Sequence, residues 1–413
     1  AATLFSTLAL ATFAFFCSVG FIFFLISSSK KRTLLIFICA NNHLGFNAFF
    51  SFLIDTINEK KVDALLVSGD IFDTGTPSNS ALSEYYSFLA SVGKTECRDV
   101  FIIAGNHDSP SLLRAPKELL ALVNVHVYAT KEDIEPYLLG GKVVVLPIPF
   151  PRDQELRKLT QGESIKDEDD KLKSAIEDLY RRETEKAVAL HPSLPIIAMG
   201  HLMASNISKE EKPELYIGGL GTIDSSSFPS SLSYVALGHI HRKMNLNDSG
   251  TICYSGSPIP FSFKEGRDRK VLKLIDVEEK NITVSDVEIP VFRNLYQIKG
   301  YKDSIEKELS KLAEDKKQGW VSIEITESGV SSSIRTISEN ITKNTGLEVI
   351  HIKDTTVSKR LMEQEETIEN LESLSEEDIF LKFLDEKEIK EERKEELLSL
   401  LREIMASLNE TEE

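Results

Sequence analysis

Apolar runs recur along this chain, and most of them stop at a glycine followed by an acid, an amide or a histidine. Thr33–Ala40 (TLLIFICA) is continuous and partly β-branched, and reads as a buried strand. Ala64–Ser68 (ALLVS) ends at Gly69-Asp70, and Val100–Ala104 (VFIIA) ends at Gly105-Asn106-His107-Asp108. Ile196–Met199 ends at Gly200-His201, and Tyr234–Leu237 at Gly238-His239-Ile240-His241. Lys142–Ile148 is a further strand, and Lys270–Val277 with Ile282–Ile289 reads as a hairpin. Helical spacing fills Ala48–Asn58 and Ser80–Leu89, and Asp167–Leu190 is a long charged helix. Strands alternating with helices predict an α/β layered sandwich. In open α/β sheets the ligand site lies beyond the carboxyl ends of the strands, so these loops should converge there.

The pattern changes near Pro290. Asn294–Lys299, Gly319–Ile325 and Leu347–Lys353 read as strands, with helices at Ser304–Asp315 and Ser331–Asn344, a small separate α+β domain. From Ser358 the chain is helical and strongly charged. Ile379, Phe380, Phe383, Leu384, Leu397, Leu398, Leu401 and Ile404 form apolar faces there, which need either this chain's own core or a second protein. At the other end, residues 1–29 carry no charge and precede Lys30, Lys31 and Arg32. Two readings stand for that leader: a signal anchor with a cytoplasmic remainder, or an extension that is not native coding sequence. A cleaved signal fits less well, because no basic region precedes the run.

The 413 residues allow two or three domains of about 150 residues each. A hydrophobic share of 41% and a charged share of 27% exclude a largely disordered chain. The net charge of −17 argues against a protein that passively coats nucleic acid. It is unevenly spread: residues 354–413 hold 20 acidic and 8 basic residues, a net −12, which leaves −5 for the preceding 353. The four cysteines (Cys17, Cys39, Cys97, Cys253) form no C-x-x-C pair, which fits a reducing compartment.

Five of the eight histidines sit in the strand-end loops: His43, His107, His201, His239 and His241. Asp70 and Asn106 join them. Oxygen and imidazole donors together suit Mn, Fe or Zn better than Ca or Mg. There are enough of them for two metals, with Asp70 the natural bridge, and two such cations can activate a water and clamp a phosphate oxygen. Cys39 and Cys253 read as core residues, and His126, His191 and His351 as structural or surface residues.

GDIFD (69–73), GNHD (105–108), GH (200–201) and GHIH (238–241) resemble the motif series of the calcineurin-like metallophosphoesterases. GDIFDTGTPS (69–78), AGNHDSP (104–110), LPIPF (146–150), ALGHIHR (236–242) and YSGSPIPFSF (254–263) are similar to the SbcD family, the nuclease subunits of bacterial SbcCD complexes. The resemblance runs from about residue 34 to the C-terminus. It implies a four-layer metallophosphoesterase sandwich over 33–290, an α+β cap over 291–353, and acidic C-terminal helices over 354–413 that dock on a partner. It also implies a two-Mn site. One metal takes Asn41, His43, Asp70 and His241, and the other takes Asp70, Asn106, His201 and His239. His107 stands by the scissile phosphate to stabilise the transition state or protonate the leaving oxygen. Asp108 is either an orienter of His107 or a loop cap. The implied partners are an SbcC-like SMC-family ATPase and DNA ends and hairpins, with a homodimer of this subunit inside a heterotetramer. The implied setting is cytoplasmic and nucleoid-associated.

One position departs from the pattern. The family begins its first motif Asp-x-His, and this chain has Asn41-Asn42-His43. An Asn carbonyl coordinates metal without bringing charge. Three accounts remain: a weakened or metal-selective site, a catalytically poor scaffold, or a sequence that is not native up to this point. The functional classes are therefore a Mn-dependent DNA exonuclease and hairpin endonuclease, a scaffold of the same complex, or a generic small-molecule phosphodiesterase.

Overall fold

The apolar runs at 64–68, 99–103, 143–147, 196–201 and 234–238 become strands buried on both faces, as expected where helices or a second sheet cover each side. The computed structural model describes residues 23–26, 31–35, 43–152, 165–205, 223–327, 330–355, 393–394 and 397–398. In chain order, β1 (Phe23–Ile26) and β2 (Lys31–Leu35) precede helix α1 (His43–Lys60). Then come β3 (Ala64–Ser68), α2 (Asn79–Val92) and β4 (Asp99–Ile103). Two short helices, α3 (Pro110–Arg114) and α4 (Lys117–Ala121), lead to β5 (Val125–Tyr128). The strands β6 (Tyr137–Leu139) and β7 (Val143–Pro147), helix α5 (Ile165–Leu190) and strand β8 (Ile196–His201) follow. A small pair, β9 (Ala204–Ser205) and β10 (Ile223–Asp224), comes before β11 (Tyr234–Gly238), β12 (Met244–Asn245) and β13 (Ile252–Tyr254). The hairpin β14 (Val271–Glu278) and β15 (Asn281–Glu288) closes this part of the chain.

Two sheets result. One is seven-stranded, in the order β15-β14-β1-β2-β3-β4-β5; the other is six-stranded, in the order β12-β13-β11-β8-β7-β6. Strands β3 and β4 of the first lie against β7, β8 and β11 of the second. Phe49, Leu53 and Ile57 of α1 and Tyr85, Phe88 and Leu89 of α2 share one core with the strands of both sheets. The Phe50 and Phe88 rings stack at 4.6 Å. Parallel pairing of β3 with β4 (Leu66↔Phe101) and of β8 with β11 (Leu237↔Gly200) aligns the carboxyl ends, so Gly69, Ala104, Leu202 and His239 all begin loops at one edge.

The helix boundaries follow local chemistry. The Ser78 side chain accepts a hydrogen bond from the Ala81 amide and caps α2, and Ser109 does the same for the Leu112 amide at the start of α3, where Pro110 occupies the first turn. Burial on β15 alternates because it is an edge strand with one face covered.

Three sequence expectations change here. Strand β2 begins at Lys31, two residues before the expected start, and 36–42 lie outside the described residues. Phe23–Ile26, inside the segment read as a leader, is a strand parallel to β14 and antiparallel to β2 and β3. An uncharged run encodes a strand as readily as an anchor. Strand β5 and helices α3 and α4 are too short for periodicity to show. Among the described residues, no helix is long and apolar enough to cross a membrane.

The chain divides into two compact units, Ala1–Tyr296 with Gln318–Trp320, and Gln297–Lys317 with the residues from Val321 onward. The second holds most of a three-stranded sheet, β16 (Asn294–Gly300), β17 (Gln318–Ile325) and β18 (Gly346–Asp354), with β17 in the middle. Helices α6 (Lys302–Glu314) and α7 (Ser331–Thr342) complete it. Ile298, Ile305, Leu309, Val321, Ile323 and Ile334 form its buried apolar set. The apolar helical segments expected at Ile379–Leu384 and Leu397–Leu408 lie outside the described residues, apart from helical 397–398.

Leu309 is fully buried in this small core. Leu309→Ala should cost about 2–5 kcal/mol of the second unit's stability. Hydrogen exchange should show faster amide exchange over residues 297–355, with Leu65 and Ile102 unchanged.

Candidate metal centre

Three glycines let the strand-end loops approach one another. Gly69 has φ +91°, a conformation L side chains rarely adopt. A Cβ on Gly105 would run into the Asp70 carboxyl and amide, and one on Gly238 would run into the Ser68 carbonyl. Asp70 (φ 52°) and His239 (φ 102°) themselves hold positive φ, a strained backbone of the kind that collects at functional sites.

Asp70 and His201 have no exposed surface. The Ser68 carbonyl, 2.8 Å from His201 Nδ1, can only accept, so Nδ1 carries the proton and the Nε2 lone pair faces inward. That atom meets Asn106 Oδ1 at 2.9 Å and Asp70 Oδ2 at 3.2 Å. His239 Nδ1 faces the same Asn106 oxygen at 3.2 Å. The backbone amide of His107 donates to Asp70 Oδ1 at 3.0 Å, while Asp70 Oδ2 is buried with no hydrogen bond. Ligand atoms of Asp70, His201 and His239 all lie within 4.8 Å of one another.

The lone pairs of His201 Nε2, Asn106 Oδ1 and Asp70 Oδ2 therefore converge without a proton of their own. Either a second proton on His201 or a cation must sit there. Burial disfavours the charge on His201, but the Asp70 carboxylate, the Ser68 carbonyl and Asp108 together raise the ring's pKa. Burial likewise disfavours the Asp70 anion, but His201 and the His107 amide hold its pKa below the usual carboxylate value. Burial, with His201 beside it, lowers His239 to about 4, so its ring is neutral and free to ligate. A neutral imidazole, an amide oxygen and a bare carboxylate oxygen form a donor set that fits a divalent transition metal.

Among the described residues, the other expected positions divide between this core and its surroundings. His107 Nδ1 lies 3.2 Å from the Asp73 carbonyl, which again assigns the proton to Nδ1 and frees Nε2. Asp108 accepts from the amides of Phe72 (3.0 Å) and Gly105 (2.8 Å), so its observed bonds are those of the loop cap. Burial and the nearby Asp70 push it up to about 8. Arg152 grips the same loop through the Asp108 carbonyl. The Phe150 ring stands edge-on to His201 at 6.0 Å. His241 is outside the tight cluster and meets Glu265 at 3.2 Å. His43 opens α1, and Asn41 lies outside the described residues. Sequence reasoning missed Glu265, Asp73 and Arg152. Asp73 closes the GDIFD segment without having been singled out, and Arg152 and Glu265 each lie two residues past a quoted segment. His126 pairs with Asp99 at 3.0 Å, and Cys253 is buried against the Tyr234 hydroxyl at 2.7 Å, both structural as expected.

Two facing sheets with oxygen and imidazole donors at their carboxyl ends define a calcineurin-like phosphoesterase, and the profile of that family matches residues 34–243. Such a fold implies divalent-metal binding. A second profile, described as the type 5 capsule protein repressor C-terminal domain, matches residues 291–388. The chain is 30% identical over 364 residues to SbcD of the SbcCD nuclease from Escherichia coli (strain K12), covering 86% of this chain and 90% of that protein. It is 34% identical over 244 residues to the SbcD protein of Rhodobacter capsulatus, covering 55% and 60% of the two chains. To that of Bacillus subtilis (strain 168) it is 30% identical over 232 residues, covering 54% and 58%. The chain belongs to the SbcD family of metal-dependent phosphoesterases.

Gly105→Ala tests the convergence itself, because the new methyl displaces Asp70 while leaving the ligands chemically intact. Metal affinity should fall by about tenfold or more with the far-UV spectrum unchanged, as metal analysis after dialysis against dilute Mn2+ would show.

Proposed function

We propose that this chain is the nuclease subunit of an SbcCD-type complex, a Mn-dependent double-strand DNA exonuclease and hairpin endonuclease gated by an SMC-like ATPase. The observation that carries the reading is the bare, buried Asp70 Oδ2 grouped with His201 and His239. The likeness to proteins named for nuclease activity over 364 residues supports DNA as the substrate.

Asp70, Asn106, His201 and His239 would hold one ion. Asp70, His43, His241 and the Asn41 carbonyl would hold the other. Bound there, the ions supply Lewis-acid stabilisation of phosphoryl oxygens and lower the pKa of water. The protein's own residues do the rest. His107 keeps its Nδ1 proton on the Asp73 carbonyl, which leaves Nε2 to meet a phosphate oxygen or to pass a proton to the leaving oxygen. Asp108 and Arg152 hold the loop that presents it. Residues 33–290 form the nuclease domain, 291–353 the cap and 354–413 the arm that docks on the ATPase. The subunit pairs with itself in a heterotetramer.

With Mn2+ and the ATPase partner, the wild type should degrade blunt and hairpin DNA, and His107→Ala should reduce the rate by about 10²–10⁴ while retaining metal. Intact DNA alongside hydrolysis of a small phosphodiester would overturn the DNA assignment.

Asn41 favours a second reading, a scaffold with a weakened first metal. Metal content separates the two. About two Mn per chain is the enzyme's expectation, and one or none the scaffold's. Asn41→Asp should tighten the weaker ion, and equal DNA cleavage by both forms would show Asn41 to be an adequate ligand.

A further inference from the structure

His241 differs from the other site histidines in what holds it. His201 and His107 rest their Nδ1 atoms on backbone carbonyls. His241 Nδ1 instead lies 3.2 Å from Glu265 Oε1, a carboxylate from the 3-10 turn Glu265–Arg267. That carboxylate is itself fixed. Lys270 Nζ donates to Glu265 Oε2 at 2.8 Å, to Ser257 Oγ at 2.6 Å and to the His241 carbonyl at 3.1 Å. All three ammonium protons are thereby used by a lysine side chain only 7% exposed. Ser262 Oγ and the Phe261 amide also donate to Glu265, at 3.2 and 3.4 Å. The Ser257 amide holds the His241 carbonyl at 2.9 Å. Gly256, at φ +84°, lets this loop lie against the His241–Lys243 backbone, where a Cβ would collide. The Phe261 ring stands edge-on to the imidazole at 5.6 Å. One loop therefore grips both the backbone and the ring of His241.

We propose that Glu265 is a positioning residue for metal binding: anchored by Lys270 and Ser257, it fixes His241 as the tautomer whose Nε2 is the ligand atom. The proposal rests on the reading of His241 as a metal ligand. A carboxylate paired with a buried ammonium is ionised and can only accept, so the imidazole donates from Nδ1 and its other nitrogen becomes the more basic donor. The consequence is local. His241 belongs to the ion that Asn41 serves without charge, and Glu265 returns negative charge to that ion through the ring. The two backbone carbonyls that hold His201 and His107 bring no such charge.

The test is a Mn2+ titration of the full chain, followed by the electron paramagnetic resonance of free Mn2+, for wild type, Glu265→Gln, Glu265→Ala and His241→Ala. The wild type should bind two ions. Glu265→Ala should weaken one of them by about 10–100-fold and leave the other alone. Glu265→Gln, which keeps shape and loses charge, should weaken the same ion less, and saturating Mn2+ should restore phosphodiester hydrolysis in both. Thermal melting identifies molecules that merely fail to fold, and the isosteric Gln variant keeps the test valid if the Ala variant does. If both Glu265 variants titrate as wild type while His241→Ala loses an ion, the proposal is overturned and the nuclease reading stands. If His241→Ala also binds two ions normally, His241 is not a ligand and the proposal falls with that assignment. If the wild type binds no Mn2+, the metal reading fails and takes the proposal with it.

Discussion

The centre depends on one buried carboxylate. Asp70 has no exposed surface, one oxygen tied to the His107 amide and the other bare. Burying an ion of this kind costs several kcal/mol unless charge of the opposite sign compensates it. The protein places lone pairs of Asn106 and His201 around the bare oxygen, which makes the need for a cation greater, not smaller. The surrounding sandwich makes that arrangement durable. Ser68, one residue from Gly69, fastens β3 to β11 through its hydroxyl on the Ala236 carbonyl at 3.1 Å, and it orients His201 through its own carbonyl. One strand end thus supplies the anion, the turn that aims it and the acceptor that sets the neighbouring ring's tautomer.

The same loops separate two jobs that are easily confused. His107 is bonded to Asp70 through its main chain, so its position is coupled to that carboxylate while its ring remains outside the candidate ligand cluster. Asp108 spends both oxygens on the amides of Phe72 and Gly105. Its role is to hold the Asp70 and His107 loops in register, and the Asp73 carbonyl takes the part of ring orienter. An acid beside a histidine in sequence need not be its partner in space.

The candidate cluster was legible because Asp70, Asn106, His201 and His239 sit at or just past the ends of buried apolar strands. A histidine two residues past a buried run has its place set by the strand, and Gly69, Gly105 and Gly238 mark where backbones crowd, while Gly200 makes room for the Tyr180 hydroxyl. The β14–β15 hairpin and the α+β unit were legible for the same reason, since β14, β15 and β17 are eight residues long and patterned. What escaped has no local signal. Glu265 meets a histidine 24 positions earlier, and nothing in KEGRDR distinguishes it from a solvated acid. Strand β5 spans four residues, and β1 lies in an uncharged run whose period says only that it avoids water. The acceptor for His107 is a main-chain carbonyl, which no side-chain motif can encode.

Charge links the centre to the whole molecule. The acid excess of residues 354–413 accounts for −12 of the net −17, so the remaining 353 residues are close to neutral and impose little long-range repulsion on a polyanion. Around His241 the local balance is finer. Lys270 offsets Glu265, and Arg242 pairs with Asp268 at 3.2 Å, so the second-sheet side of the site is paired ion by ion. The unbalanced group in the buried cluster is the anion of Asp70. A centre that is neutral at its rim and anionic at its heart attracts cations before it attracts phosphate. A divalent metal would therefore have to bind before a phosphate could, and Asp70 with its neighbours is what would hold it.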